Sequence, residues 1–144
     1  MKFKFAAVAF GAAMVAGLAI AEGTATDPVV IAHKDLMKSF GGAMKTLGGM
    51  AGGEVAFDAA AAEAAKTALV DGAAKIPAVF EKTSTDPASE AKAEIWTNWD
   101  DYLAKAKGLG DAAAALDATK LEGVQAGMGA IGGACKDCHT TYRM

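Results

Sequence analysis

Two features of the sequence predict an all-α fold, an antiparallel four-helix bundle. Beyond residue 27, apolar side chains recur three and four residues apart in four separate stretches, which is the spacing of one face of an α-helix. Short segments rich in Gly, Ser, Thr or Asp divide these stretches, and no run shows the pattern of a strand. Four amphipathic helices with short connections bury their apolar faces by packing side by side.

The first helix is predicted from Pro28 to Leu47 or Met50. Asp27 suits an N-cap, and proline is favoured at the first helical position that follows it. Paired glycines at 48–49 and 52–53 are expected to end the helix. Its apolar stripe, at spacings of three and four, consists of Val30, His33, Met37, Phe40, Met44 and Leu47.

The second helix is predicted to begin after Asp58, another N-cap, and to run to about Phe80. Pro77 should kink it or end it early, because proline cannot donate a backbone hydrogen bond. Residues 82–87 have the composition of a loop. The predicted inner face consists of Ala62, Ala65, Leu69, Ala73, Ile76 and Phe80.

The third helix is predicted from about Ser89 to Lys107, and residues 111–116 could prolong the turn after it. The fourth helix is predicted to begin near Asp117 or Thr119. The stripe of this last helix includes both cysteines of the chain, so it places them on the side that faces the core. Its members are Leu121, Val124, Met128, Ile131, Cys135, Cys138 and Tyr142.

Residues 1–21 have the three parts of a secretory signal peptide. Lys2 and Lys4 precede an apolar run over residues 6–20, and Ala19-Ile20-Ala21 suits a cleavage site. A membrane anchor is the alternative, but a bilayer span needs roughly 20 apolar residues. Removal of the segment leaves one domain, residues 22–144, and changes the formal net charge from −3 to −5. That domain has no basic patch for nucleic acid and no second apolar run for a membrane.

The segment Cys135-Lys136-Asp137-Cys138-His139 matches C-x-x-C-H, the attachment signature of a c-type haem. Two thiols at i and i+3 on a helix can reach one porphyrin edge, and His139 can supply an imidazole to the iron. A structural zinc site would need four ligands, and His33 is the only other His or Cys. A thioredoxin-like pair would lie beside a βαβ pattern, which is missing from this sequence. A disulfide between the two cysteines would close only a tiny loop.

The C-terminal segment resembles the C-x-x-C-H-x-x-[YF]-R ending of class II c-type cytochromes, the cytochrome c′ family. Glu94-Ile95-Trp96, residues 38–45 and residues 57–60 are similar to segments of the third, first and second helices of that family. The resemblance covers essentially the whole chain after residue 21. It implies a four-helix bundle with one covalent haem c near the C-terminal end of the last helix. Cys135 and Cys138 would form the thioethers, and His139 would be the proximal iron ligand.

The resemblance also bears on the opposite face of the iron. High-spin members have Leu, Phe or Tyr at the facing position of the first helix and an Arg four residues earlier, near the haem propionates. Here Met37 and His33 occupy these positions. Leu36-Met37-Lys38 resembles the low-spin members, in which that Met binds iron. A Met in a helical stripe also commonly fills a core, so packing is the alternative for Met37.

Two further residues have open roles. His33 could bind the iron, contact a propionate in place of Arg, or be a partly buried polar residue, and the last two roles are favoured over the first. Arg143 lies one turn beyond His139, where the resemblance places a cation that tunes the reduction potential. The alternative for Arg143 is a solvated charge at the C-terminus.

These observations predict an electron carrier of the bacterial periplasm, not an enzyme, with a low-spin iron held by His139 and Met37. Its partners would be periplasmic redox proteins. The alternative is a five-coordinate, high-spin cytochrome c′ that binds NO or CO at an open distal site. A peroxidase-like enzyme would need a distal acid–base group, for which only His33 is available. Members of the family form dimers through their first two helices, and this sequence leaves monomer or dimer open.

Overall fold

The computed structural model describes residues 23–144, so the predicted signal peptide lies outside the described residues. Four long helices form the bundle: α1 (Pro28–Ala51), α2 (Ala59–Phe80), α4 (Trp99–Ala114) and α5 (Leu121–Tyr142). A single turn, α3 (Glu94–Thr97), precedes α4. Helix α1 packs against α2 and α5, and α4 packs against the same two helices, so the four enclose one core. The predicted all-α bundle is confirmed.

Helices α1 and α2 begin where their N-caps predict. The Asp27 carboxylate accepts a hydrogen bond from the backbone N–H of Val29 at 2.8 Å. The Asp58 carboxylate accepts from Ala60 and Ala61 at 2.9 and 3.1 Å. Each cap satisfies N–H groups that have no partner within the helix.

Pro77 does not end α2, which continues to Phe80. Proline lacks an N–H and therefore forfeits one hydrogen bond of the helix. Ile76 and Phe80, on either side of it, are 4% and 5% exposed. We attribute the extra turn to the burial of these two side chains, which offsets the missing bond.

The prediction of a third helix from Ser89 was wrong, because residues 89–93 are not helical. Two backbone hydrogen bonds hold this segment against the end of α5: the Lys92 N–H donates to the Tyr142 carbonyl, and the Met144 N–H donates to the Glu90 carbonyl. Together they form an isolated antiparallel bridge between Ala91 and Arg143. Regular helix begins at Trp99 and continues seven residues beyond the predicted end at Lys107. Leu109 and Ala113 are buried in that extension.

Helix α5 begins at Leu121, slightly later than predicted, because Asp117 caps a turn before it. The Asp117 carboxylate accepts from the backbone N–H and the hydroxyl of Thr119. Two glycines of α5 let this turn approach closely. A Cβ at Gly123 would collide with Asp117, and one at Gly127 would collide with Leu116. No helix within residues 23–144 is both long and apolar enough to cross a bilayer.

Candidate haem site

A cavity of about 520 Å³ lies among the four long helices, α3 and residues 89–91. Its size falls within the roughly 300–1,000 Å³ of ligand and cofactor pockets. Most of its wall is apolar, with Val30, Phe40, Ile76 and Ile95 among the contributors. Such a wall suits a large, flat and mostly apolar group with a few polar substituents.

All six residues singled out from the sequence line this one cavity. Cys135, Cys138, His139 and Arg143 reach it from α5 and its C-cap. Met37 and His33 reach it from α1, about 100 positions earlier in the chain. The fold thus brings together two groups of residues that the sequence separates widely.

The two cysteines are free and half-buried, on successive turns of α5. Burial raises the pKa of the Cys135 thiol, and burial raises that of the Cys138 thiol to about 11. Both are therefore neutral thiols near pH 7. Burial, followed by the positive charge of Arg143, lowers the pKa of His139. A neutral imidazole is the form that binds a metal.

Within residues 23–144 no group of three or more His, Cys, Asp or Glu side chains is placed to hold a bare metal ion. The donor set suits a metal that arrives with its own macrocycle. Two neutral thiols on one helix face can bond to a porphyrin, and a neutral imidazole such as that of His139 is a common ligand of haem iron. The apolar wall and the thioether of Met37 complete a site that fits a c-type haem.

His33 is the buried polar residue of this site, with 5% of its surface exposed. Its Nε2 lies 3.0 Å from the carbonyl oxygen of Val79, and its ring stacks on Phe80 with centroids 4.0 Å apart. Its Nδ1 is buried and has no hydrogen-bond partner in the described chain. Burial lowers its pKa, an effect that the bond to Val79 partly opposes.

Arg143 is exposed, and its guanidinium pairs with the carboxylate of Glu90. Its N–H caps α5 by donating to the carbonyl of His139. Glu90 lines the same cavity, and no motif in the sequence points to it. Glu90 comes from the irregular segment before α3 and is held there by long-range contacts with the end of α5, the ion pair with Arg143 and a backbone hydrogen bond from Met144.

Two further hydrogen bonds lie near the C-terminal end of α5. The Tyr142 hydroxyl donates to the carboxylate of Asp101, and this bond raises the pKa of Tyr142 to about 12. Lys105 lines the cavity and pairs with Asp137, which lies between the two cysteines. Both contacts fix the end of α5 against α4, and no local sequence pattern signals either one.

Comparison with known proteins gives a consistent result. A model of the cytochrome C′ family matches residues 29–143. The cytochrome c-556 of Agrobacterium fabrum is 38% identical over 136 residues, which cover 92% of each chain. The cytochrome c′ of Rhodopseudomonas palustris is 34% identical over 151 aligned residues, covering 99% of this chain and 97% of the relative. A solved structure of cytochrome c′ from Rhodopseudomonas palustris superposes with a TM-score of 0.72 at 30% identity, covering 82% of this chain and 97% of that one.

Proposed function

The chain belongs to the cytochrome c′ family of electron-transfer haem proteins, which carry covalently bound haem c, and we propose that it is a mono-haem electron carrier of the periplasm. In this proposal the iron is low-spin and is bound by His139 and Met37. When bound, the haem supplies an iron that alternates between the ferric and ferrous states. The chain's own residues hold the cofactor and restrict access to it.

The attachment residues follow from α5. Cys135 and Cys138 would each form a thioether, and His139, which follows Cys138 in the last turn of α5, would be the proximal ligand. Their positions on a helix that packs against α1 and α4 support this assignment. A ligand on a packed helix is held in place, so the geometry at the iron would change little between oxidation states.

The single observation that carries the low-spin assignment is the position of Met37. Its thioether lines the cavity from α1, while His139 lines it from α5. A thioether and an imidazole together are a common ligand pair for electron transfer, and the pair raises the reduction potential. Met37 would occupy the sixth coordination position and keep exogenous ligands out.

The alternative function is gas binding at a five-coordinate iron. Phe40, Met44 and Val30 also line the cavity and could form an apolar distal wall if Met37 only packs there. NO or CO would then bind the open position. The occupant of the sixth position therefore distinguishes the two functions.

Export to the periplasm is proposed from residues 1–21, which have the pattern of a cleaved signal peptide. Attachment of haem to C-x-x-C-H follows export in bacteria, so the signal and the motif agree. Redox proteins of the same compartment would be the partners. A catalytic role is not part of the proposal.

Optical and EPR spectra of the purified holoprotein, with and without CO, test the ligation. Low-spin iron in both oxidation states, a thioether-to-iron charge-transfer band and no CO uptake are expected. Met37→Ala should become high-spin and bind CO. Met44→Ala is the matched control, because Met44 lies on the same helix and lines the same cavity, and it should stay low-spin.

Two results would contradict the assignment. A low-spin spectrum that survives in Met37→Ala would show that another residue is the ligand. A high-spin wild-type protein that binds CO readily would make Met37 a packing residue and would move the function to gas binding.

A further inference from the structure

His33 takes no part in the function proposed above, yet it is an unusual residue to bury. Only 5% of its surface is exposed, and it lines the same cavity as Cys135, Cys138 and His139. Its Nδ1 has no hydrogen-bond partner in residues 23–144. A buried nitrogen without a partner is costly unless something else in the site satisfies it.

The hydrogen bond of Nε2 fixes where a proton can be added. The carbonyl oxygen of Val79 can only accept, so Nε2 carries the hydrogen and Nδ1 carries the free lone pair. Protonation at Nδ1 would leave the 3.0 Å bond to Val79 intact. The ring also stacks on Phe80, with an angle of 5° between the planes. His33 can therefore change its charge without moving.

Opposing influences act on that charge. Burial disfavours the imidazolium, whereas the backbone bond to Val79 and the negative charge of Asp27 favour it. Val79 lies in the last turn of α2, and the C-terminal end of a helix attracts a cation. A change of one unit in the charge of the cavity can decide whether His33 is neutral or protonated, because electrostatic interactions are strong at low dielectric.

The other charged groups around the cavity do not offer a comparable site. Lys105 is paired with Asp137, and Arg143 is paired with Glu90. The other charged residues that line it are Lys34 and Lys38 on α1.

The remaining titratable side chains of α4 and α5 do not compete either. Burial raises the pKa of Tyr102, and the bond to Asp101 raises that of Tyr142 to about 12, so both tyrosines are neutral. Cys138 and His139 would be engaged with the cofactor. Helix α2 contributes only the apolar Ile76 and Phe80 to the wall.

We propose that His33 takes up a proton at Nδ1 when the site is reduced and releases it on oxidation, so that the protein transports a proton with each electron. The electron comes from a reduced donor protein and the proton from solvent. Together they leave the net charge of the cavity unchanged, whereas the electron alone would lower it by one unit. The inference rests on the proposed haem site, but it does not depend on Met37 as a ligand.

The coupling predicts a defined pH dependence. The pKa of His33 is higher in the reduced protein, because the added electron favours a nearby cation. Between the pKa values of the oxidised and reduced forms, the reduction potential falls as pH rises. The limit is one proton per electron, which is a tenfold change in the redox equilibrium per pH unit, or about 59 mV. At pH values below both pKa values of His33, or above both, the reduction potential is constant.

The test is potentiometric titration of the holoprotein between pH 5 and pH 9. The wild-type potential should show one sloped window. His33→Gln should lose the slope, because an amide can still donate to Val79 but does not titrate. Asp35→Asn, an exposed change one half-turn further along α1, is the control and should keep the slope. A wild-type potential that is constant across the range, or a slope that persists in His33→Gln, would overturn the proposal.

Three further measurements separate the possible sources of a pH-dependent potential. Glu90→Gln should keep the slope, and its loss there would assign the proton to Glu90 instead. NMR titration of wild-type His33, one of only two histidines, should give a higher pKa in the reduced protein, and equal values would refute the coupling even if the variants misfold. In Met37→Ala the slope should persist although the spin state changes. The ligation and the proton coupling can therefore fail independently.

Discussion

Gly72 on α2 is the position at which one added methyl group tests the packing of the bundle most directly. A Cβ built at Gly72 would overlap the ring of Phe40, which lies across the interface on α1. Gly72 is buried and Phe40 is 6% exposed, so neither can move into solvent without cost. Phe40 also lines the cavity, so a displaced ring would intrude on the candidate haem site.

The expected magnitude follows from two opposing effects. Replacing a glycine by alanine inside a helix stabilises it by roughly 0.5–1 kcal/mol. Forcing a methyl group into a packed interface costs about 1–3 kcal/mol. Gly108→Ala in α4 isolates the first effect, because a Cβ there would meet no atom within 4 Å. The two variants should therefore differ in free energy of unfolding by about 1–3 kcal/mol, with Gly72→Ala the less stable.

Guanidinium unfolding of the holoproteins, followed by far-ultraviolet circular dichroism, measures this difference. With an m-value of about 4 kcal/mol per molar, a difference of about 2 kcal/mol separates the midpoints by about 0.5 M. In a Phe40→Leu background the cost of Gly72→Ala should largely disappear, because the two residues share one contact. Equal midpoints for Gly72→Ala and Gly108→Ala would refute the close approach of α1 and α2 at this point.

Two further predictions concern pH. Asp86 accepts backbone hydrogen bonds from Asp27, Ala88 and Thr26, which lower its pKa to about 2. The contribution of Asp86 to stability is therefore present above pH 4 and is lost as pH falls towards 2. Asp86→Ala should lower the melting temperature at pH 6, and the melting temperature of the variant should decrease less steeply in acid than that of the wild type. An equally steep decrease in both proteins would contradict this. The hydroxyl of Tyr142, which donates to Asp101, should not ionise below pH 11 in the folded protein. In Asp101→Asn the hydroxyl should titrate at lower pH, which ultraviolet difference spectra can measure. The same titration in both proteins would contradict the role of Asp101.

The local parts of the fold could be predicted from sequence. Helices α1 and α2 begin at capping aspartates, whose preference for that position depends on a few neighbouring residues. The apolar stripes likewise fixed which faces of the long helices are buried. Residues 89–93 were predicted wrongly, because their conformation depends on pairing with the end of α5 some 50 residues later. Local propensity contains no information about such a partner.

In the candidate site too, local sequence patterns identify some residues, whereas others are brought there only by long-range packing. C-x-x-C-H is a contiguous signal, so Cys135, Cys138 and His139 could be selected at once. Met37 was selected only through resemblance to a family, because a methionine in a helical stripe is usually a packing residue. Glu90, which faces the cavity from an irregular segment, had no local signal.

The environment of His33 follows from long-range packing in a way that bears on function. Its position in the α1 stripe predicted burial, but the sequence could not predict that the end of α2 supplies the Val79 carbonyl, 46 residues later. That carbonyl is available because the last turn of a helix has no N–H groups ahead of it to bond. It selects the tautomer of His33 and leaves Nδ1 as the free position. If the reduction potential depends on pH as proposed, the C-terminal end of α2 determines which nitrogen of His33 on α1 is protonated when the site is reduced.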